Sequence, residues 1–158
     1  MNKGVLFPPE NRQSEDLGRV IEEMYASICY EQGGSPDWER NAAIFTPGAR
    51  MVRINDDGIF EFQDQRAYRE NFESMIASGD LPAFWEGELW RTTHVFHDMA
   101  HVLSAYETRR TRTGPVINRG VNSIQLFRRK GRWLISAMIW RREGKEFRIP
   151  EAPPSFRA

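Results

Sequence analysis

With 158 residues, 22 basic and 22 acidic side chains and a net charge of zero, the chain lacks the positive field that nonspecific nucleic-acid binding requires. A content of 40% hydrophobic and 28% charged residues is ordinary for a globular protein, which excludes disorder and a membrane span as organising principles, and the length suits one domain. Cys29 is the single cysteine, so no intrachain disulfide can form.

The apolar run Val5-Leu6-Phe7 is stopped by Pro8 and Pro9, too short for a signal peptide, and a cytoplasmic location is expected. From Ser14, a plausible N-cap, to about Gln32, apolar Leu17, Val20, Ile21, Met24, Tyr25 and Ile28 recur at spacings of three and four, predicting a helix with one buried face. Cys29 falls within that stretch and reads as a structural thiol rather than a nucleophile. Gly33-Gly34 ends the helix, and Ser35-Pro36-Asp37 opens a short second one running to Phe45. Thr46-Pro47-Gly48 is turn chemistry. Met51, Val52 and Ile54, then Asn55-Asp56-Asp57-Gly58, then Ile59 to Phe62 predict a hairpin with an Asp-Gly turn. A third amphipathic helix spans Asp64 to Ser78, ended by Gly79 and followed by Pro82.

Segments near 84–96, 100–112, 116–129 and 132–142 predict four long antiparallel strands, separated by His97-Asp98, Thr113-Gly114-Pro115 and Lys130-Gly131. In the last of them, Trp133, Ile135, Ala137 and Ile139 alternate with Leu134, Ser136, Met138 and Trp140. Both faces are apolar and both need a cover. The three helices can take one face; Glu143 to Ala158, rich in proline and charge, provides no further helix, so homodimerisation through the outer face is expected. The basic residues Arg109, Arg110, Arg112, Arg119, Arg128, Arg129, Lys130 and Arg132 read as solvated strand ends and turns.

The expected fold is α+β: a curved antiparallel sheet wrapped around three N-terminal helices, forming a cone with an internal pocket. It is expected as one domain over 1–158, with a core at about 14–144 and a tail at 145–158. The order of elements, with Ala100 to Glu107, Arg119 to Leu126, Gly131 to Ile135, Trp140 and Phe84 to Glu88, resembles the nuclear-transport-factor-2-like superfamily and its SnoaL-like branch of small bacterial proteins. The resemblance covers about residues 14 to 144. It implies a cystatin-like roll whose open end holds a mostly apolar cavity. It also implies isomerase, dehydratase, cyclase or hydrolase activity, or plain binding, because this architecture hosts all of them. Active members place an Asp or His as proton shuttle and a Tyr or second acid against the developing oxyanion.

Several residues are candidates for the pocket. Glu86 and Glu88 lie two apart on a strand and share a face with Trp90 and Thr92. If that face lines the cavity, they can raise each other's pKa and leave one carboxyl protonated near neutrality; if it faces a partner or solvent, they are salt-bridge partners of neighbouring arginines. Arg119 and Asn122 enter an otherwise Val, Ile and Leu strand, either as a structural pair with Glu88 or Glu107 or as holders of an anionic or carbonyl ligand. Tyr106 can donate its hydroxyl to an oxyanion or simply fill the sheet face. Tyr25, Trp38, Phe72, Phe84, Trp85, Trp90 and Trp140 include candidate pocket walls. His94, His97, Asp98 and His101 straddle a turn, which places His94 and His101 on opposite strands facing one another rather than around a metal, and no metal is expected. The ligand-binding set is therefore Glu88, His101, Tyr106, Arg119, Asn122 and Trp140.

No phosphate loop, dinucleotide fingerprint, nucleophile elbow or Cys-His pairing is visible, so no cofactor is expected. Two functions remain open. One is acid-base catalysis on a small cyclic or aromatic molecule, with a carboxylate or His101 moving the proton and Tyr106, Asn122 or Arg119 stabilising charge. The other is noncatalytic binding or dimerisation, with the same polar groups forming a satisfied network. Neither reading involves nucleic acid or a membrane.

Overall fold

The computed structural model describes residues 11–154, with side chains from residue 16 onward; the Val5-Leu6-Phe7 run and the last four residues of the tail lie outside the described residues. The helical spacing of apolar residues puts Leu17, Ile21, Met24, Tyr25 and Ile28 on the buried face of α1 (Asn11–Ile28). Burying a side chain of that size contributes about 2 kcal/mol, which is what seats the helix in the sheet. Ser14 lies inside α1 rather than at its cap. The short α2 (Trp38–Ala42) is capped two positions later than expected, by the Asp37 carboxylate rather than Ser35, accepting from the Arg40 N–H at 3.0 Å.

The chain then enters β1 (Phe45–Ile54), turns at Asn55 to Gly58, and returns as β2 (Phe60–Gln63). Gly58 supplies the left-handed conformation of the turn at φ 82°. Thr46-Pro47-Gly48 is a local irregularity within β1 rather than a separate turn, since the register shifts between Phe45 and Arg50 and Gly48 sits at φ 80°. In α3 (Gln65–Ser78), Asp64 caps the N-terminus by accepting from the Ala67 N–H at 2.8 Å, and Gly79 closes the other end in the left-handed conformation. The long meander follows as β3 (Trp85–Phe96), β4 (Met99–Arg109), β5 (Asn118–Arg129) and β6 (Arg132–Arg142).

One curved sheet results, in the order β2-β1-β6-β5-β4-β3. It corrects the expectation of an antiparallel sheet at one pairing: β1 runs parallel to β6, so the first long strand lies beside the last. The helices fill the concave side, where Ile21, Met51, Val102, Ile124 and Ile135 are almost fully buried.

Two β-bulges decide which side chains face inward. Glu88 pairs with Tyr106 and Trp90 with Ala105, so Leu89 is an extra residue and the alternation of β3 reverses after it. Glu86 and Glu88 face the concave side together, but Trp90 and Thr92 do not share that face as expected. They point outward with His94, and Arg91 turns inward. In β6, Leu126 pairs with Ile135 and Gln125 with Ala137, leaving Ser136 as the extra residue; its hydroxyl donates to the Gln125 carbonyl at 3.1 Å. The inward set of β6 is consequently Trp133, Ile135, Met138 and Trp140, drawn from both of the expected alternating series.

The outer face is partly covered by the chain itself. After β6 the backbone turns at Gly144, whose N–H donates to the Phe147 carbonyl at 3.0 Å, and the Arg141 guanidinium lies 4.7 Å from the centre of the Phe147 ring. The tail then reaches β3, where the Trp90 indole N–H donates to the Pro150 carbonyl at 2.8 Å. Elsewhere on this face Phe60, Phe62, Phe96, Met99 and Ile139 stay exposed, Phe62 at 81%. Among the described residues no helix is long and apolar enough to cross a membrane.

Candidate functional site

Between α1, α3 and the concave face lies a cavity of about 170 Å³. Its apolar wall comes from Met24, Ile28, Tyr68, Phe72, Met75, Leu81, Phe84, Met138 and Trp140. The aromatic members meet edge to face: Tyr68 and Phe72 at 5.3 Å, Phe72 and Phe84 at 5.5 Å, Tyr68 and Trp140 at 6.0 Å between ring centres. Polar groups enter from the strands: Glu86 from β3, Tyr106 and Thr108 from β4, Asn122 from β5, Arg142 from β6, and Arg53 and Gln63 from the β1–β2 hairpin.

Glu86 is the chemically distinctive member. Burial pushes its carboxyl up to about 8, against the smaller opposing pull of the Arg142 charge. No hydrogen bond to its carboxylate from another residue stabilises the charged form among the described residues, so the acid is predominantly neutral at pH 7. A raised carboxyl was one of the two readings of the Glu86–Glu88 pair; its cause is burial, not like-charge repulsion. Beside it, the Tyr106 phenol is held well above its usual range, by burial first and by the Glu86 charge second, with Arg142 and Arg53 opposing. Tyr106 therefore remains a neutral donor. Its ring lies across Gly120, where a Cβ would overlap the phenol and sit 2.8 Å from the Arg141 carbonyl. Gly120 is what lets the phenol lie flat on the sheet.

Glu88 serves a different purpose. Its carboxylate accepts from Arg91 Nε at 2.9 Å, with Nη2 at 2.7 Å, and from the Ser104 hydroxyl at 2.6 Å. Having given its one hydrogen to Glu88, Ser104 must accept from the Tyr25 hydroxyl, 2.6 Å away. Tyr25 in turn accepts from Asn122 Nδ2 at 3.0 Å. The chain is thus directional, from Asn122 through Tyr25 and Ser104 to Glu88, and it fixes the orientation of the Asn122 amide at the cavity wall. Burial raises the Tyr25 phenol above its ordinary value, with the Glu86 charge adding to it and the Ser104 and Asn122 hydrogen bonds opposing. Glu88 does not line the 170 Å³ cavity; it lines a wider groove of about 1060 Å³ between the end of α1 and β3, and Glu86 borders both.

Of the six residues expected to bind a ligand, Tyr106, Asn122 and Trp140 line the cavity and Glu88 lies at its flank. His101 and Arg119 are on the opposite side of the sheet, because both fall on the outward phase of their strands. His101 pairs directly with His94, the rings stacked at 6.4 Å, and meets the Ser123 hydroxyl at 3.0 Å; burial and the His94 charge lower its pKa. Arg119 approaches Glu107 at 3.5 Å, the structural pairing considered from the sequence, and Arg109 reaches the same carboxylate at 2.5 Å. Neither His101 nor Arg119 can touch a molecule in the cavity. Arg53 and Arg142 were not singled out in the sequence, where they resemble any strand-end arginine. Cys29 ties α1 to β3: its thiol lies 3.2 Å from the Tyr25 carbonyl, and Glu86 N–H donates to it at 3.3 Å, while burial pushes the thiol pKa up. No group of three or more His, Cys, Asp or Glu residues with metal-binding geometry occurs among the described residues.

No protein-family model matches the sequence, and no curated protein matches it either. Solved structures do match. A protein of unknown function with a cystatin-like fold from Nostoc punctiforme superposes with a TM-score of 0.68 at 12% identity, over 86% of this chain and 95% of the other. A proposed scytalone dehydratase from Novosphingobium aromaticivorans gives 0.64 at 16% identity, over 94% and 96%. A proposed dehydratase of the NTF2-like family from Streptomyces avermitilis gives 0.62 at 12% identity, over 84% and 97%. The chain has the cystatin-like, nuclear-transport-factor-2-like fold: a curved, unclosed sheet around helices with a cavity at its centre.

Proposed function

We propose that the protein is a small-molecule enzyme working by acid-base chemistry with its own side chains, of the isomerase, dehydratase or hydrolase class, on a small cyclic or aromatic substrate. The observation that carries this reading is the Glu86 carboxyl, raised to about 8 and placed in one apolar cavity with the Tyr106 phenol. A group that titrates near the working pH is the most effective proton donor and acceptor, because both of its forms are populated. Glu86 transfers the proton, and Tyr106 donates a hydrogen bond to the oxygen on which charge develops. The likeness to two proposed dehydratases supports the reaction class but rests on fold.

The volume limits the substrate. A cavity of about 150 Å³ takes a benzene-sized guest. At about 170 Å³ this one suits a single ring with short substituents.

The test has two measurements. Carbon NMR of the Glu86 carboxyl is expected to show titration near pH 8, and a value in the ordinary carboxylate range ends the proposal. Solvent deuterium exchange into the C–H bonds next to the carbonyl of small cyclic ketones is expected to be accelerated by the wild type and slowed by about a hundredfold or more in Glu86→Gln. The satisfied chain from Asn122 to Glu88 favours the second reading, a binding protein without turnover; that reading is selected if ring compounds bind and no exchange follows.

The exposed apolar residues of the outer face support the further proposal of a homodimer through that face. Sedimentation equilibrium is expected to show a dimer at micromolar concentration, and a monomer there overturns it.

A further inference from the structure

Charge is unevenly distributed around the cavity. Arg53 on β1 is in register with Trp140 on β6, and Arg142 follows two residues later on the same inward face. Both arginines line the cavity, and both line the adjoining cleft at the hairpin turn with Asn55, Asp56 and Asp57. Neither forms an ion pair among the described residues, whereas Arg91, Arg109 and Arg119 each reach a carboxylate. Asp56 and Asp57 flank the cleft outside ion-pair distance, and Asp57 is occupied in accepting from the Ile59 N–H at 3.0 Å. Glu86 is the lone carboxyl of the cavity wall, and in its protonated form it offsets neither arginine. Among the described residues, the site therefore holds two partly buried guanidiniums with no carboxylate within ion-pair distance. Forked guanidinium donors match a carboxylate in geometry, and their attraction for one is strengthened where water is excluded.

We propose that the molecule this cavity accepts carries a carboxylate, bound at the mouth against Arg53 and Arg142, with its ring among Tyr68, Phe72, Phe84 and Trp140. This rests on the reading of the cavity as a site for a single ring. Glu86 on β3 and Tyr106 on β4 enter the cavity across β5 from Arg142, where they meet a substituent of the ring rather than the anchoring carboxylate. The anion fixes the orientation of the ring, and the apolar wall supplies its burial.

The experiment measures binding of benzoate and its neutral counterpart benzamide to the full chain by calorimetry. Arg53→Gln, Arg142→Gln and the double variant are compared with wild type, and Arg129→Gln, at the exposed end of β5, controls for overall charge. Charge-assisted hydrogen bonds of this kind correspond to about tenfold to a hundredfold in affinity. Benzoate is expected to bind wild type and Arg129→Gln at least tenfold more tightly than benzamide, and the double variant is expected to lose the preference. Equal or tighter benzamide binding overturns the carboxylate and leaves the ring-sized cavity standing. Failure of both compounds at about 10 mM, the weakest range worth calling binding, overturns the cavity reading together with the carboxylate. A pH series on wild type alone needs no variant to fold: across the pH range in which carbon NMR shows Glu86 gaining charge, benzoate affinity is expected to fall, and an unchanged affinity across that observed titration overturns the placement of the anion in this cavity.

Discussion

The two faces of the sheet hold their polar groups in opposite ways. On the concave face, Asn122, Tyr25, Ser104 and Glu88 form a chain in which each hydrogen bond dictates the next, and three of the four residues are buried. On the outer face, His94, His101 and Ser123 make a similar row from the same strands, but they are only partly buried, so water can replace any lost contact. Identical backbone registers thus yield a rigid site on one side and a forgiving surface on the other. Desolvation, rather than the number of contacts, makes the difference.

The sharpest test of that contrast uses two glycines whose added Cβ would collide with an aromatic ring. Gly120→Ala is expected to destabilise the protein by about 3 kcal/mol, since the buried Tyr106 ring and the Arg141 carbonyl leave no room for relaxation. Gly87→Ala meets the Trp85 indole, which can swing toward solvent, and is expected to lose less than about 1 kcal/mol. Urea unfolding of both variants decides it; equal losses would remove the distinction between the faces.

Next in size is Ser104→Ala. It leaves the Tyr25 hydroxyl without its acceptor and removes one of the donors to Glu88, which keeps Arg91, a loss of about 2 kcal/mol by thermal or urea unfolding. Ser123→Ala on the outer face is expected to stay within about 0.5 kcal/mol. A smaller effect with a definite sign concerns Glu86. Because its folded-state pKa lies above its ordinary value, the folded protein holds this proton more tightly than the unfolded chain does. Its contribution to stability is full below about pH 4.5 and is lost as pH rises to about 8. Water in the open cavity moderates the loss, leaving about 1–2 kcal/mol between pH 4.5 and 9. Glu86→Gln is expected to remove that slope, and a parallel pH profile in the variant would contradict a carboxyl raised by desolvation in the cavity. The smallest expected effect is His101→Ala, within about 0.5 kcal/mol and without influence on ligand binding in the cavity.

Much of this arrangement was legible in the sequence. The four long strands begin and end close to their expected bounds because Gly and Pro punctuate all but the β3–β4 turn, where His97-Asp98 does so with His97 at φ 52°, and the Asp-Gly hairpin carried its own turn signal. Strand alternation also placed Glu86 and Glu88 on a common face. The inward face itself was not legible past the bulges, since one extra residue at Leu89 reverses every later side chain in β3, and Ser136 does the same in β6. Neither residue is a glycine or a proline that would announce the irregularity. Arg119 and His101 look like site residues because a polar group in an apolar strand is conspicuous, but conspicuousness does not indicate a direction. Arg53 and Arg142 escaped notice for the opposite reason: their significance comes from the parallel β1–β6 pairing, a contact between distant parts of the chain that local sequence does not encode.

That parallel pairing also orders events in time. The meander from β3 to β6 can form by zipping neighbouring strands together, whereas β1 has no long partner until β6, the final strand, has been synthesised. Closing so large a loop is entropically slow, so docking of the β1–β2 hairpin onto β6 is expected late in folding. Arg53 and Arg142 stand on the two strands that meet in this step, and the mouth of the cavity is consequently among the last parts of the molecule to assemble.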